Sequence, residues 1–163
     1  NTMNFTRLFP YLVFTVLNFG GLAVGSFFTG PGVASTWYQM LPTAPWTPPG
    51  WVFGAAWTTV MIGFSWFMGS LWNADQAASF RQRTMRLFAV SWVCNVAWNP
   101  LFFYAQAIEW ALVVITALYV VLFVLMLHSS SAPSPNAGKC GILPYVLWLT
   151  IAISLNAYPV FVA

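Results

Sequence analysis

The chain is a succession of long apolar runs broken by short polar interruptions. A helix needs about 20 apolar residues to cross the hydrocarbon core of a bilayer. Five stretches qualify: Leu8–Phe28, Trp51–Trp72, Leu87–Tyr104, Trp110–Leu127 and Ile142–Val162. Only Ala105–Glu109 separates the third from the fourth, and the two together are too long for one tilted helix, so a tight hairpin is predicted there. The other connections are Thr29–Gly50, Asn73–Arg86 and His128–Gly141, the last containing SSSAPSPNAG, which reads as a flexible surface loop. The pattern predicts an all-α integral membrane protein, residues 1–163 forming one domain of five transmembrane helices. The first run is too long for a cleavable signal and lacks a small-residue cleavage site.

Inside these runs the small and polar positions carry the information, because helices in lipid pack through small residues and lone hydrogen-bonding groups. In the first span Asn18, Gly21 and Gly25 share a face; in the second, Trp51, Gly54, Thr58, Met61, Ser65 and Trp72 recur together, flanked by Trp57. The third carries Ser91, Asn95, Trp98, Asn99 and Phe102 along one stripe, with Pro100 expected to kink it. In the fifth, Tyr145, Trp148, Ala152, Asn156 and Pro159 line up, whereas the fourth offers mainly Thr116 and Tyr119 and reads as lipid- or core-facing. An asparagine amide turned to lipid costs several kcal/mol, so Asn18, Asn95, Asn99 and Asn156 face each other, the backbone or a bound molecule. Interhelical hydrogen bonding, at about 0.6 kcal/mol a contact, is one explanation. The other is suggested by company: Asn95 with Trp98, and Asn156 with Trp148, pair an amide with a flat ring, the composition of a cavity for a large planar guest.

The first connection is the exception to the apolar rhythm. Between Trp37 and Trp57 it reads WYQMLPTAPWTPPGWVFGAAW, and Pro42, Pro45, Pro48 and Pro49 forbid helix before Trp51. So many aromatic residues do not suit a solvated linker. The segment 29–50 is expected to fold as a lid over the bundle.

Composition and charge sharpen this picture. Charged residues make up 4% of the chain, against about 25% in a soluble domain, so lipid must supply the outer contact. With five spans, Arg7, Arg81, Arg83, Arg86 and Lys139 all fall on one side and Glu109 on the other. The positive-inside rule makes the basic side cytoplasmic and places the lid opposite. Trp51, Trp72 and Trp110, at span ends, suit interfacial aromatic belts. A net charge of +3 from so few groups provides no basic stripe for nucleic acid. No Asp, Glu, His or Lys falls inside a span, which argues against an ion pump, a proton relay or an acid–base enzyme. Cys94 and Cys140 lack metal-ligand spacing and read as a small buried hydrophobe and a free thiol. His128 reads as a solvated residue at a helix end, with axial ligation of a haem iron the alternative.

Four motifs, in order along almost the whole chain, resemble the translocator protein/tryptophan-rich sensory protein family, also called peripheral-type benzodiazepine receptors. They are Trp37-Tyr38-x-x-Leu41 with Trp46-x-Pro48-Pro49-x-Trp51-Val52 and Trp57; Asn95-x-x-Trp98-Asn99-Pro100-Leu101-Phe102-Phe103; Trp110-Ala111-Leu112; and Pro144-Tyr145-x-x-Trp148 with Leu155-Asn156. The resemblance implies a five-helix bundle, a homodimer, and a pocket under the first loop. Porphyrins and haem are the implied ligands, with cholesterol in animal members, isoquinoline and benzodiazepine drugs, and light-driven porphyrin breakdown in some bacterial members. By motif the pocket is lined by Trp57, Asn95, Trp98, Trp110, Tyr145, Trp148 and Ala152 under a lid bearing Tyr38, Trp46 and Pro48; Asn156 joins them from the helix-face argument. The resemblance thereby moves Trp110 from belt to pocket. The chain departs from the family where Thr43-Ala44 replaces Lys-Pro in the lid, where Val96 replaces a tryptophan, and where nothing basic follows Tyr158 to complete a cholesterol pattern.

Three functions follow in order of preference. The first is a membrane receptor or carrier that binds tetrapyrroles and similar planar molecules and requires no cofactor. The second is light-driven porphyrin degradation with electrons from Trp57 and Trp148. The third is a regulatory membrane subunit without a small ligand.

Overall fold

The computed structural model describes residues 5–74, 76–132 and 139–162, with the Lys139 side chain excepted. The elements are α1 (Phe5–Val33), α2 (Thr36–Met40), α3 (Gly50–Asn73), α4 (Ala78–Asn99) continued by a π-helical turn over Pro100–Tyr104, α5 (Ile108–Ser129) and α6 (Lys139–Val162). Five of these helices are long and apolar enough to span a membrane, as the apolar runs predict. The predicted loop SSSAPSPNAG lies largely outside the described residues.

The spanning helices close a ring in which α1 touches α3 and α4, α6 touches α3 and α5, and α5 touches α4. Its centre is a core of Val60, Met61, Phe64, Phe67 and Met68 of α3 against Leu118, Leu122 and Leu125 of α5 and Ile142, Tyr145 and Leu149 of α6. Phe14 and Phe88 complete it from α1 and α4. The buried stripe of α5, Ala111, Ile115, Leu118, Leu122, Leu125 and Ser129, makes that helix core-facing. A second, smaller cluster lies under the lid, where Phe102, Phe103 and Ala111 meet Trp37, Tyr38 and Leu41.

Several local expectations are revised. Helix α4 starts at Ala78, nine residues before the predicted Leu87, because the arginine-bearing turns stay helical although they are too polar for hydrocarbon. Helix α1 runs on through Pro31 to Val33, and the lid contains a turn of helix, Thr36–Met40, ahead of Pro42. Ser35 caps that turn, its Oγ accepting from the Tyr38 N–H at 3.2 Å. Pro100 produces a π turn where a kink was expected. The proline lacks an N–H, and the ladder widens until the Ala105 N–H reaches the Pro100 carbonyl at 2.9 Å. The hairpin that follows turns through Gln106 at φ 55°.

The face of α3 is correct at Met61 and Ser65, but Trp51, Gly54 and Thr58 are exposed. Trp72 is half-buried under the Arg81 guanidinium and against Phe14, a packing role where a belt residue was expected. His128 is half-buried too: its ring stacks on Phe80 at 3.9 Å and its Nε2 lies 3.2 Å from Thr84 Oγ. Cys140 sits in the first turn of α6, exposed and unpaired, where a loop was expected.

Candidate functional site

The residues singled out in the sequence fall into three groups near the lid end. The first is an aromatic wall between α3 and α6. Trp57 meets Tyr145 edge-on at 5.9 Å and Trp148 at 6.4 Å, and Phe53 meets Trp148 at 5.4 Å. Tyr145 and Trp148 are buried, while Ala152 is half-buried one helical turn beyond Trp148. Phe53 was not anticipated, although it precedes Trp57 by four residues and so shares its helix face.

Trp148 is the unusual member. Its indole Nε1 is buried without a hydrogen-bond partner among the described residues, whereas Trp92 Nε1 donates to the Leu17 carbonyl at 2.8 Å and Trp98 Nε1 to Asn156 Oδ1 at 2.8 Å. A buried donor left unpaired costs about 1–3 kcal/mol. Trp148 also lines an open groove of about 360 Å³ between α3 and α6, walled by Val52, Ala56 and Val60 on one side and Pro144 and Ile151 on the other. The small residues Ala55 and Ala56 make the room. Thr59, the polar residue of that wall, satisfies its hydroxyl on the Ala55 carbonyl at 2.9 Å.

The second group links α4, α5 and α6. Asn156 is fully engaged, accepting from Trp98 Nε1 and donating through Nδ2 to the Ile108 carbonyl at 3.0 Å. It holds the protein together with both ends of its amide. Asn95, also buried, forms no side-chain hydrogen bond among the described residues and so keeps a free amide. Asn99 accepts from Thr29 at 2.8 Å, and Asn18 donates to Ser65 at 2.9 Å, two amides that serve packing.

The third group is the lid. Tyr38 is half-buried against Phe102 and Phe103, at 6.4 and 5.7 Å, and burial raises its phenol above the ordinary value. Pro48 is half-buried as well. Trp46 is exposed, yet its Nε1 donates to Ser154 Oγ at 3.0 Å and its ring meets Tyr158 edge-on at 5.7 Å. Ser154 and Tyr158 were missed as lid contacts, although their i,i+4 spacing on α6 presents both to one visitor. The lid thus crosses from the π turn to the outer end of α6. Trp110 stands apart from these groups, 65% exposed at the start of α5.

No group of three or more His, Cys, Asp or Glu suited to a metal ion occurs among the described residues. His128 belongs to the opposite end of the bundle from the aromatic wall, with Nε2 turned to Phe80 and Thr84.

Comparison with known proteins agrees with this architecture. The model of the TspO/MBR family matches residues 12–161. The chain is 30% identical over 159 residues to the translocator protein of Homo sapiens, covering 90% of this chain and 86% of that one. It is 33% identical over 141 residues to the tryptophan-rich protein TspO of Archaeoglobus fulgidus, covering 81% and 82%. To the tryptophan-rich sensory protein of Cereibacter sphaeroides it is 29% identical over 123 residues, covering 74% and 72%.

Proposed function

The chain belongs to the TspO/MBR family, and from that premise we propose that it is a membrane receptor for planar, mostly apolar molecules, tetrapyrroles such as porphyrin and haem foremost. The observation that carries this reading is Trp148: a buried indole donor without an acceptor, among the rings of Trp57 and Phe53, on the wall of a groove between two helices. Ligand sites are mostly apolar, with a few polar groups that fix orientation, and run from about 300 to 1,000 Å³. A groove near the lower limit suits a flat guest better than a globular one.

In this mechanism the Trp148 ring meets the guest while Trp57 and Phe53, packed edge-on against it, hold it in place, each aromatic pair adding about 0.5–1.5 kcal/mol beyond the area it buries. The Trp148 N–H gains the acceptor it lacks from a carbonyl or carboxylate at the guest's edge; Asn95, buried on α4, does not line the groove. The lid is held to α6 by one hydrogen bond and one edge-on ring contact at Trp46. So slight a latch can open and reclose without disturbing the core. The relatives' names, translocator and sensory protein, fit a molecule that takes up a small guest and reports it or passes it on.

Titrating protoporphyrin into the purified protein and following quenching of tryptophan fluorescence tests the reading. Trp57→Phe and Trp148→Phe should each weaken binding by about tenfold, the loss of roughly one good contact. Unchanged affinity in both variants would rule out this wall as the binding site. A second reading, light-driven porphyrin breakdown, is favoured by two electron-rich indoles 6.4 Å apart beside the proposed guest. It predicts bleaching of the bound pigment under illumination in the presence of oxygen, and a photostable pigment excludes it.

A further inference from the structure

The end of the bundle opposite the lid carries a feature that guest binding does not use. The N-terminus of α1, the C-terminus of α3 and the N-terminus of α4 converge there. Asn73 Nδ2 donates to the Arg7 carbonyl at 2.7 Å, so the start of α1 is tied to the end of α3. One residue earlier, the Trp72 ring lies under the Arg81 guanidinium, 5.0 Å from its centre, and against Phe14 of α1. The backbone of Arg7 is thus held at the end of α3 and the Arg81 guanidinium over its last tryptophan, and both arginines are exposed. Arg83 and Arg86 are exposed too, but roughly 200° and 140° round the helix from Arg81, and the first turn of α4 has no acidic residue and no side-chain cap. No carboxylate among the described residues meets any of them. Asp75, the acidic residue of this stretch, lies outside the described residues, and Glu109 opens α5 at the other end.

Exposed arginines at the level where membrane spans end, one of them 5.0 Å above the Trp72 ring, attract a counter-charge that can lie in the plane of the bilayer. Guanidinium forks match phosphate oxygens, and a guanidinium held over a tryptophan ring can still donate from its N–H edge. Basic clusters next to spans are where anionic lipid headgroups collect. We propose that Arg7, Trp72 and Arg81 form a binding site for the headgroup of an anionic phospholipid. The acyl chains of that lipid lie along α1 and α3. The site is selective for charge because a zwitterionic headgroup brings its own cation toward the arginines.

The test is native mass spectrometry of the detergent-solubilised protein given equal amounts of phosphatidylglycerol and phosphatidylcholine with identical acyl chains. Wild type should retain phosphatidylglycerol in preference by about tenfold or more, since each basic group near the surface contributes a factor of about five. The Arg7→Gln/Arg81→Gln double variant should approach parity, and Glu109→Gln at the far end should leave the preference unchanged. Raising the salt concentration on wild type alone should erode the preference, which keeps the test decisive if the double variant fails to fold. Equal retention of the two lipids by wild type overturns the proposal. So does an undiminished preference in the folded double variant, or displacement of phosphatidylglycerol by millimolar inorganic phosphate, which would mark a site for free anions.

Discussion

Two interfaces of the same helix ring are built in opposite ways. Helix α1 meets α4 through glycine along much of its length: Gly21 lies against the Trp92 indole and Val96, Gly25 against the Asn99 amide. The polar groups there find partners across the seam, Trp92 on the Leu17 carbonyl and Thr29 on Asn99. Helix α3 meets α6 backbone to backbone at one level, Gly63 against Gly141. Toward the lid the two part around the groove and leave the Trp148 N–H without an acceptor. The first seam is closed and satisfied; the second is pinched at one end and open at the other. Where a chain holds ten tryptophans, the partner of each N–H separates rings that build the fold from rings that can receive a guest.

The strongest way to break this contrast is at the pinch. A Cβ on Gly63 would lie 2.6 Å from the Gly141 carbonyl oxygen, and backbone cannot swing aside. Gly63→Ala should therefore cost about 3 kcal/mol or more, the upper range for overpacking, read as a fall in the thermal midpoint in detergent. At the closed seam a Cβ on Gly25 would lie 2.6 Å from Asn99 Nδ2, a side-chain atom that can move. Gly25→Ala should cost less, about 1–2 kcal/mol, mainly through a disturbed Thr29–Asn99 bond. A reversed ranking would mean that the α3–α6 approach is not what sets the groove.

The next largest effect separates two asparagines that look alike in the sequence. Asn156→Leu leaves Trp98 Nε1 without its acceptor and should destabilise the protein by about 1–3 kcal/mol. Asn95→Leu breaks no side-chain bond among the described residues, so the thermal midpoint should hold. Equal destabilisation by both would return Asn95 to a packing role.

The reason these two could not be told apart beforehand also explains how much was legible. Span number, the order of the runs and the common side of the basic residues follow from lipid's intolerance of charge, which leaves its mark on every residue of a span. The faces of α1, α4 and α6 follow from the same rule, because Asn18, Ser91, Asn95 and Asn156 are buried where the periodicity puts them. Helix α3 was harder: it is apolar all round, and Trp51, Gly54 and Thr58 sit on the stripe of Met61 and Ser65 yet face outward. The start of α4 was missed because hydropathy reports where lipid begins, not where helical hydrogen bonding does. The pairing of Trp98 with Asn156 spans 58 residues, and no local pattern records which of two amides a distant indole will choose.

The smallest effect is the most discriminating, because it predicts different outcomes for one substitution at two sites. Trp92→Phe removes an indole that donates to the Leu17 carbonyl and packs over Gly21. It should destabilise the protein by about 1 kcal/mol, one hydrogen bond with some lost packing. Trp148→Phe also removes ring volume, but it deletes a buried donor whose lack of a partner already costs about 1–3 kcal/mol. Because Trp148 borders an open groove, neighbouring side chains can close on the smaller ring, and the cavity penalty stays low. The relief should balance or exceed it, leaving the thermal midpoint of the guest-free protein unchanged or raised. The same variant should bind protoporphyrin more weakly, so stability and affinity move apart at Trp148, while Trp92→Phe lowers stability and leaves affinity alone. If Trp148→Phe instead destabilises as much as Trp92→Phe, its N–H is satisfied within the folded protein, and the open seam is merely a looser version of the closed one.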